Sequence, residues 1–234
     1  MLALTKTTDR AESRDRTGYN KLGIRKTLEF METERLELIA ATIELCEAET
    51  RGRAALEACF GARVPTSWPP PVFEPDDVAR IRAQLEADPT IGSWTLHYIL
   101  ARPGATAEGR SLVGIAGYTG PPTPEGRVEI GYAIASEHQR RGYATEAVDA
   151  LVRAAFRDPR VVVVSATTYP TLEPSIGVLT KNGFMRAGSE AADGTIRYVR
   201  RRDPEEERSG LTAGQQRFAA DGGSRESGAA AAEI

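Results

Sequence analysis

The chain has 234 residues, of which 41% are hydrophobic and 27% are charged. These proportions are ordinary for a water-soluble globular protein, and the length suffices for one domain of usual size with terminal extensions. The formal net charge is -3 at pH 7. Nucleic-acid-binding domains usually carry a basic excess, so this charge argues against a nucleic-acid partner.

The cysteines and the apolar runs indicate the compartment. Cys46 and Cys59 form no C-x-x-C pattern, which predicts reduced, partly buried thiols rather than a disulfide framework. No run approaches the roughly 20 apolar residues of a membrane-spanning helix, and the amino terminus lacks the apolar core of a signal peptide. We therefore expect a cytoplasmic protein that has no membrane partner.

The two ends of the chain differ in composition from its middle. Residues 1–30 are polar and charged, and residues 203–234 are charged and rich in glycine and alanine. Such segments bury too little apolar surface to offset the entropy lost on ordering. We expect a disordered extension over 1–30, one domain over 31–202 and a disordered tail over 203–234. Met31 is our hypothesis for the natural start of the protein.

The first predicted elements are a strand, two helices and two more strands. Residues 31–39 alternate between apolar and polar side chains, as a strand does. Helices are predicted over 42–60 and 76–87, and the proline-rich passage 64–71 separates them because prolines block helix and ladder hydrogen bonds. Strands are predicted at 94–100 and 112–118, with turn residues between and after them.

The second half contains the clearest helix. A strand at 127–134 leads through a short turn into a helix that begins near residue 143, where apolar residues recur at three- and four-residue spacings. The β-branched run 161–168 predicts a strand covered on both faces. A short helix within 170–182 and a final strand at 195–200 complete a mixed α+β sheet.

The turn before the clearest helix has the composition of a phosphate-binding site. The first turn of a helix has unpaired N–H groups and the positive end of the macrodipole, which attract an anion. Gly142 permits close backbone approach, and Arg140 and Arg141 add positive charge. Taken without further information, the two arginines are better explained as an ordinary solvated pair in a surface turn.

Metal and nucleotide patterns are missing from the sequence. The two histidines, His97 and His138, are not spaced with other metal ligands. Neither the P-loop pattern nor the G-x-G-x-x-G pattern occurs. We expect no metal cofactor.

Two motifs resemble those of the GNAT N-acetyltransferases. Residues 139–144, which read QRRGYA, resemble the Q/R-x-x-G-x-G/A acyl-CoA signature of that family. The wider stretch 128–147 is similar to the branch of ribosomal-protein N-terminal acetyltransferases (RimJ/RimL-like). Residues 175–184 resemble the S-x-x-V-L-x-K-x-G-F segment of the same family. The resemblance therefore covers about 33–201.

This resemblance implies the acyl-CoA N-acyltransferase fold, with acetyl-CoA as co-substrate. The sheet would be twisted, mixed and mostly antiparallel, flanked by helices, and split between the strands at 127–135 and 161–168. In the family a β-bulge on the first of these strands turns an N–H towards the thioester carbonyl. The residues expected to bind acetyl-CoA are Ala133, Ile134, Ala135, Gln139, Arg140, Arg141, Gly142, Tyr143, Ala144 and Thr145.

Glu129 and Ser175 are the candidates for proton transfer. Alternation puts Glu129 on the less bulky face of its strand, where it could act as general base; a surface carboxylate paired with an arginine is the alternative. Ser175 matches the serine of the family's N-x-x-S element, a proton donor to the leaving CoA thiolate, and a helix N-cap is its alternative role. Leu172 stands where that element has asparagine.

Trp68 and Tyr118 are the expected residues of the acceptor side. In the family the region of Trp68 borders the acceptor; alternatively, Trp68 packs as an anchor. Tyr118 could instead be a proton donor or a structural residue. We expect an acetyl-CoA-dependent N-acetyltransferase whose acceptor, a protein N-terminal α-amine or a small-molecule amine, attacks directly in a ternary complex. Family members often dimerise. The alternative is a non-catalytic acyl-CoA-binding sensor, which Leu172 favours.

Overall fold

One eight-stranded sheet forms the centre of the computed structural model, which describes residues 30–71 and 73–203. The strands are β1 (Phe30–Glu32), β2 (Leu36–Ala40), β3 (Leu96–Ala101), β4 (Ser111–Tyr118), β5 (Arg127–Ile134), β6 (Val163–Thr168), β7 (Met185–Ala187) and β8 (Ile196–Arg201). Their order across the sheet is β1-β2-β3-β4-β5-β6-β8-β7. All neighbouring pairs are antiparallel except β5 and β6, which are parallel. The predicted fold class is thus confirmed.

Helices cover both faces of this sheet. Within the described residues the α-helices are α1 (Ile43–Arg51), α2 (Arg53–Phe60), α3 (Pro75–Ala87), α4 (Tyr143–Arg157) and α5 (Glu173–Lys181). Helices α1, α2 and α3 pack on one face, against side chains such as Ile39, Tyr98 and Ile115. Helices α4 and α5 pack on the opposite face, against side chains that include Ile99 and Ile130.

Helix α4 is the most extensively buried helix, as its apolar spacing predicts. Ala147, Val148, Leu151, Val152 and Ala155 are all fully buried against the sheet. Burial of one large aliphatic side chain contributes about 1.5–3 kcal/mol. The apolar stripe therefore fixes the rotation of α4 and, with it, the position of the turn at its amino end.

Three predicted elements differ from the structure. The strand predicted at 31–39 is a hairpin of β1 and β2, because the Oγ1 of Thr33 accepts the N–H of Leu36 and closes a turn. The helix predicted over 42–60 breaks at Gly52, whose φ of 99° is not helical and whose N–H caps α1. Strand β7, with only three residues, was not predicted.

Trp68 packs into the helical layer. Its indole Nε1–H donates to Oε1 of Glu49 at 2.6 Å, and its ring stacks on Tyr98 at a centroid distance of 6.3 Å. The other carboxylate oxygen of Glu49 is buried, and the Tyr98 hydroxyl also interacts with this carboxyl group. Burial raises the pKa of Glu49, and the hydrogen bond from Trp68 offsets part of that rise. The Trp68 side chain therefore anchors the proline-rich passage.

The predicted disorder of 1–30 and 203–234 falls almost entirely outside the described residues and stays a prediction. Strand β1 begins at Phe30, one residue before the predicted domain. None of the helices in the described part of the chain has the length and apolar content that a membrane span needs.

Glu49→Gln should stabilise the protein at neutral pH and have little effect in acid. The raised pKa of Glu49 means that its contribution to stability is complete below the unfolded value of about 4.3 and is lost as pH rises through the folded value. Glutamine keeps an acceptor for the Trp68 indole and never ionises. Melting temperatures of wild type and variant should therefore diverge as pH rises from about 4 to about 7.

Glu44→Gln is the matched control, because Glu44 is an exposed carboxylate on the same helix. A difference between wild type and Glu49→Gln that stays constant across this pH range would contradict the buried-carboxyl account.

Candidate active site

Strands β5 and β6 separate within the sheet. Their parallel pairing extends only from Arg127 to Glu129, opposite Val163 to Ser165. Beyond this point β5 stays paired with β4 through Ile134, whereas β6 stays paired with β8. The sheet therefore has an opening along one edge of residues 130–134, on the side where β6 has diverged.

The ladder between β4 and β5 determines which backbone groups face this opening. The N–H of Thr119 donates to the carbonyl of Glu129 and the N–H of Ala135 donates to the carbonyl of Val113, each at 2.9 Å. Because the direction of the backbone groups alternates along a strand, those of Tyr132 and Ile134 point into the opening.

Among the three strand residues predicted to bind acetyl-CoA, Ile134 is therefore the one whose amide faces the opening. The amide of Ala135 is already bonded to β4, and Ala133 has the same orientation as Ala135. The carbonyl of Ile134 accepts the side-chain amide of Gln139 at 3.0 Å. Gln139 thus ties the turn that follows β5 to the edge of the opening.

The β-bulge expected on β5 is not found there. The register of β5 against β4 runs without a shift from Ile130 to Ile134. The irregularity lies instead between β3 and β4, next to Ile99 and Leu100, where β4 contains one extra residue. The expected position of the bulge was therefore wrong.

The turn between β5 and α4 ends in unpaired helix amides. Arg140 and Gly142 both have left-handed backbone conformations, with φ of 62° and 81°. Gly142 is the N-cap of α4 and provides no side-chain cap, and the first hydrogen bond of the helix joins the N–H of Glu146 to the carbonyl of Gly142. The amides of the first three helical residues, Tyr143, Ala144 and Thr145, are therefore free to bind an anion.

The side chains of this turn differ in their roles. Arg140 and Arg141 are exposed, and neither guanidinium forms an ion pair with another described residue. Tyr143, in contrast, is buried, and its hydroxyl donates to the carbonyl of Ala105 at 2.7 Å. Asn182 donates to the carbonyl of Thr145. Two unneutralised guanidinium groups beside free helix amides are an arrangement that fits a diphosphate.

Arg35 and Glu146 hold the turn in place, and no motif or spacing in the sequence indicated either residue. Glu146 receives hydrogen bonds from the Thr33 hydroxyl, the Arg35 amide and the Arg35 guanidinium, at 2.6–2.9 Å. A further guanidinium nitrogen of Arg35 donates to the carbonyl of Arg141 at 2.9 Å. Burial alone would raise the pKa of Glu146, but these hydrogen bonds outweigh it and lower the pKa. Glu146 therefore stays ionised and joins α4 to the β1–β2 turn.

Glu129 lies on the face of the sheet opposite α4. The hydroxyl of Thr167 on β6 donates to Oε1 of Glu129 at 2.8 Å. Glu129 is partly exposed, and it shares its face of β5 with Gly131 and Ala133. The alternative role, pairing with an arginine, is not seen among the described residues, because the partner of this carboxylate is a threonine.

A cleft of about 210 Å³ lies on this same face, between helix α3 and strands β4 and β5. Gly131 and Ala133 contribute to its floor, and Asp77 and Arg80 contribute to its α3 wall. Asp77 pairs with Arg80 at 2.7 Å, and this hydrogen-bonded contact lowers the pKa of Asp77. The two charges on the wall therefore neutralise each other.

The predicted acceptor residues Trp68 and Tyr118 do not present functional groups to this cleft. Trp68 is absent from its lining, since its indole is bonded to Glu49. Tyr118 lines the cleft, but its hydroxyl donates to the carbonyl of Leu151 in α4, on the other face of the sheet, at 2.6 Å. Burial raises the pKa of Tyr118 well above its ordinary value. Both geometries correspond to the structural alternatives.

Ser175 lies across the opening from β5. The N-cap of α5 is Leu172, so Ser175 is the third residue of the helix and its N-cap alternative was wrong. Its Oγ is 3.0 Å from the hydroxyl of Tyr132, which also donates to the Ser175 carbonyl at 3.1 Å. Burial raises the pKa of Tyr132, and the hydrogen bond with Ser175 lowers it in part. Strand alternation alone did not identify Tyr132 as a partner.

Leu172, at the position where the family motif has asparagine, is 48% exposed. It forms no side-chain cap on α5. No group of three or more histidine, cysteine, aspartate or glutamate side chains with the geometry of a metal site occurs in the described ranges.

An open, mostly antiparallel sheet that splits beside a glycine-containing helix start defines the acyl-CoA N-acyltransferase class of fold. The chain belongs to the GNAT acetyltransferase domain family, whose sequence profile matches residues 53–185.

Named relatives agree with this assignment. The uncharacterized N-acetyltransferase YjdG of Bacillus subtilis (strain 168) is 27% identical over 158 residues, which are 67% of this chain and 89% of YjdG. The uncharacterized N-acetyltransferase YoaA of the same organism is 32% identical over 79 residues, 34% of this chain and 45% of YoaA. The chain thus spans less than half of the length of YoaA.

Solved structures show the same fold. Mycobacterium smegmatis RimJ, in complex with CoA-disulfide, superposes with a TM-score of 0.51 at 20% sequence identity, covering 80% of this chain and 95% of RimJ. The likeness in fold extends to the RimJ/RimL-like branch that the sequence motifs resemble.

Gly142→Val should weaken CoA binding by about tenfold or more, the equivalent of about 1.4 kcal/mol. A β-branched residue strains the left-handed backbone at φ 81°, and its Cβ would lie 3.3 Å from the Arg35 guanidinium. Both effects displace the free amides of α4. Calorimetric titration with CoA measures the change in Kd.

Gly188→Val is the matched control for strain, because Gly188 has φ 79° and open space around its Cβ position. If the two variants raised the Kd for CoA equally, the turn would not be the site of CoA contact.

Proposed function

We propose that this chain is an acetyl-CoA-dependent N-acetyltransferase that transfers an acetyl group to a primary amine. The observation that carries the proposal is the opening between β5 and β6, with the unpaired amides of α4 at its mouth. Arg140 and Arg141 lie beside these amides and form no ion pair with another described residue. Bound there, acetyl-CoA would supply the acetyl thioester. The CoA-disulfide named in the RimJ structure, which has this fold, supports the same class of ligand.

The residues that would hold acetyl-CoA divide into two groups. Arg140, Arg141 and the amides of residues 143–145 would bind the diphosphate by charge and by hydrogen bonds. The amide of Ile134 would pair with the extended pantetheine arm or donate to the thioester carbonyl, where a preorganised N–H stabilises developing negative charge. Gln139 would hold the carbonyl of Ile134 and so fix the direction of that strand edge.

Glu129 is the proposed general base. The Thr167 hydroxyl fixes one oxygen of the carboxylate and leaves the other to accept a proton from the acceptor ammonium, directly or through water. A single general base accelerates a reaction by about 10²–10⁴-fold. Juxtaposition of two substrates can contribute about 7–11 kcal/mol, so positioning in a ternary complex is the larger effect. Direct attack by the amine needs no covalent enzyme intermediate.

Ser175 is the proposed proton donor to the leaving thiolate. Its hydroxyl is 3.0 Å from that of Tyr132, and Tyr132 holds Ser175 in place through this contact and through its hydrogen bond to the Ser175 carbonyl. Ser175 and Glu129 lie on opposite faces of the sheet, on the two sides of the opening. The proposed donor and the proposed base would therefore act from the two sides of the opening.

The acceptor is a protein N-terminal α-amine or a small-molecule amine, bound in the cleft between α3 and β5. A panel of amino-terminal peptides and small amines, with acetyl-CoA and detection of free thiol, tests the proposal. Thiol release that depends on one acceptor class supports it. Cytoplasmic location and a homodimer stay predictions.

A non-catalytic acyl-CoA sensor is the second candidate, and Leu172 is the observation that favours it. At this position an asparagine amide could form a hydrogen bond with pantetheine, whereas the side chain of Leu172 is apolar and exposed. CoA binding in calorimetry, combined with no thiol release over the whole panel, would select the sensor and exclude the transferase.

Glu129→Gln should lower kcat/KM at least about tenfold at neutral pH, and more for an ε-amine than for an α-amine. The reason is the amine pKa, about 10.4 for lysine and about 7.7–8.0 for an α-amine, so that lysine depends more on a base. The pH–rate profiles for the two acceptor types measure this difference.

Glu125→Gln is the control, because Glu125 is an exposed carboxylate between β4 and β5. A Glu129→Gln profile that matched the wild-type profile would remove Glu129 from the mechanism.

A further inference from the structure

Gly131 lies in the middle of β5 although its local structure does not require glycine. Its φ is outside the left-handed region, it is exposed, and a Cβ at this position would meet no atom within 4 Å. In contrast, a Cβ at Gly114 or Gly117 would lie 2.4 Å from a backbone oxygen of a neighbouring segment. Glycine weakens the interior of a strand because it loses more conformational freedom on folding. The free space at Gly131 is therefore its distinguishing feature.

This space lies between the cleft and the opening. Gly131 is on the floor of the cleft that faces α3, and it follows the last residue of β5 paired with β6 by only two positions. Glu129 and Ala133 lie on either side of it on the same strand face. A side chain at this position would project towards the cleft, between the candidate base and the end of the strand.

We propose that Gly131 is a specificity-determining residue, whose missing side chain leaves free the path along which the acceptor amine reaches the opening. The inference rests on the acetyl-transfer function proposed above. The cleft volume of about 210 Å³ is below the range of about 300–1,000 Å³ of pockets that enclose drug-sized ligands. It therefore receives the amine-bearing end of an acceptor and not a whole large molecule.

On its α3 wall, this path selects by steric size rather than by charge. Asp77 and Arg80 on the cleft wall neutralise each other, so that they do not attract a charged acceptor strongly. The floor under the path is backbone at Gly131 and a methyl group at Ala133. The preferred acceptor class is consequently a primary amine at the end of an extended chain, and added bulk at position 131 should exclude it.

The test compares Gly131→Ala and Gly131→Leu with Gly120→Ala and Gly120→Leu. Gly120 also has no atom within 4 Å of its Cβ position and no left-handed φ, but it lies beyond β4 and does not line the cleft. The measurements are kcat/KM for the best acceptor of the thiol-release panel, the calorimetric Kd for CoA, and the melting temperature.

For the Gly131 variants we expect acceptor kcat/KM to fall about tenfold with alanine and about a hundredfold with leucine, the range that methylene-sized differences produce in substrate pockets. The Kd for CoA should stay within about twofold of wild type, since no CoA contact is altered. The alanine variant should melt at or above the wild-type temperature, because alanine orders at a lower entropic cost. Unchanged stability with reduced acceptor use distinguishes a substrate path from a structural role.

Three results would overturn the inference. Wild-type acceptor kcat/KM in Gly131→Leu would exclude the path while leaving the proposed function intact. An increase in the Kd for CoA that equals the loss of acceptor kcat/KM would assign Gly131 to CoA contact instead. A wild-type protein that binds CoA and releases no thiol with any amine would overturn both the inference and the transferase function.

Discussion

The site depends on the fact that the pairing between β5 and β6 stops after Glu129. Buried or half-buried backbone groups need hydrogen-bond partners, and most strands of a sheet find them on both neighbours. Here β5 is bonded to β6 over Arg127–Glu129 only, so the next outward-facing amides, those of Tyr132 and Ile134, border an opening. An extended ligand with amide groups of its own can complete this edge. The catalytic geometry of the proposed function follows from this unpaired edge of β5.

The turn after β5 is held by contacts from outside its own helix. Helix α4 has no side-chain N-cap, and the Arg35–Glu146 pair supplies the rigidity that a capping residue would otherwise provide. On the other side, Glu137 accepts hydrogen bonds from Thr66 and from the amide of Ser67, in the proline-rich passage. These two contacts position the turn and leave its first amides free for an anion.

The fold and the turn could be predicted from the sequence because both arise from local chemistry. Three features lie close together in the chain: the apolar stripe of α4, the glycine at its start and the adjacent arginines. Their spacing indicates their roles. Contacts between distant residues could not be predicted in this way. Arg35 meets Glu146 across 111 positions, and Tyr132 meets Ser175 across 43. The role expected for Trp68 likewise depended on its partner, Glu49, which no spacing rule indicates.

Backbone NMR of the labelled protein during titration with CoA tests the central claim most directly. If CoA binds in the opening, the amide signals of Ile134 and of residues 143–145 should shift and their hydrogen exchange should slow, because the ligand becomes their hydrogen-bond partner. The amide of Ala135, already bonded to Val113, should show little change in exchange. CoA binding that left the amides of Ile134 and residues 143–145 unchanged would contradict the assignment of the opening as the acyl-CoA site.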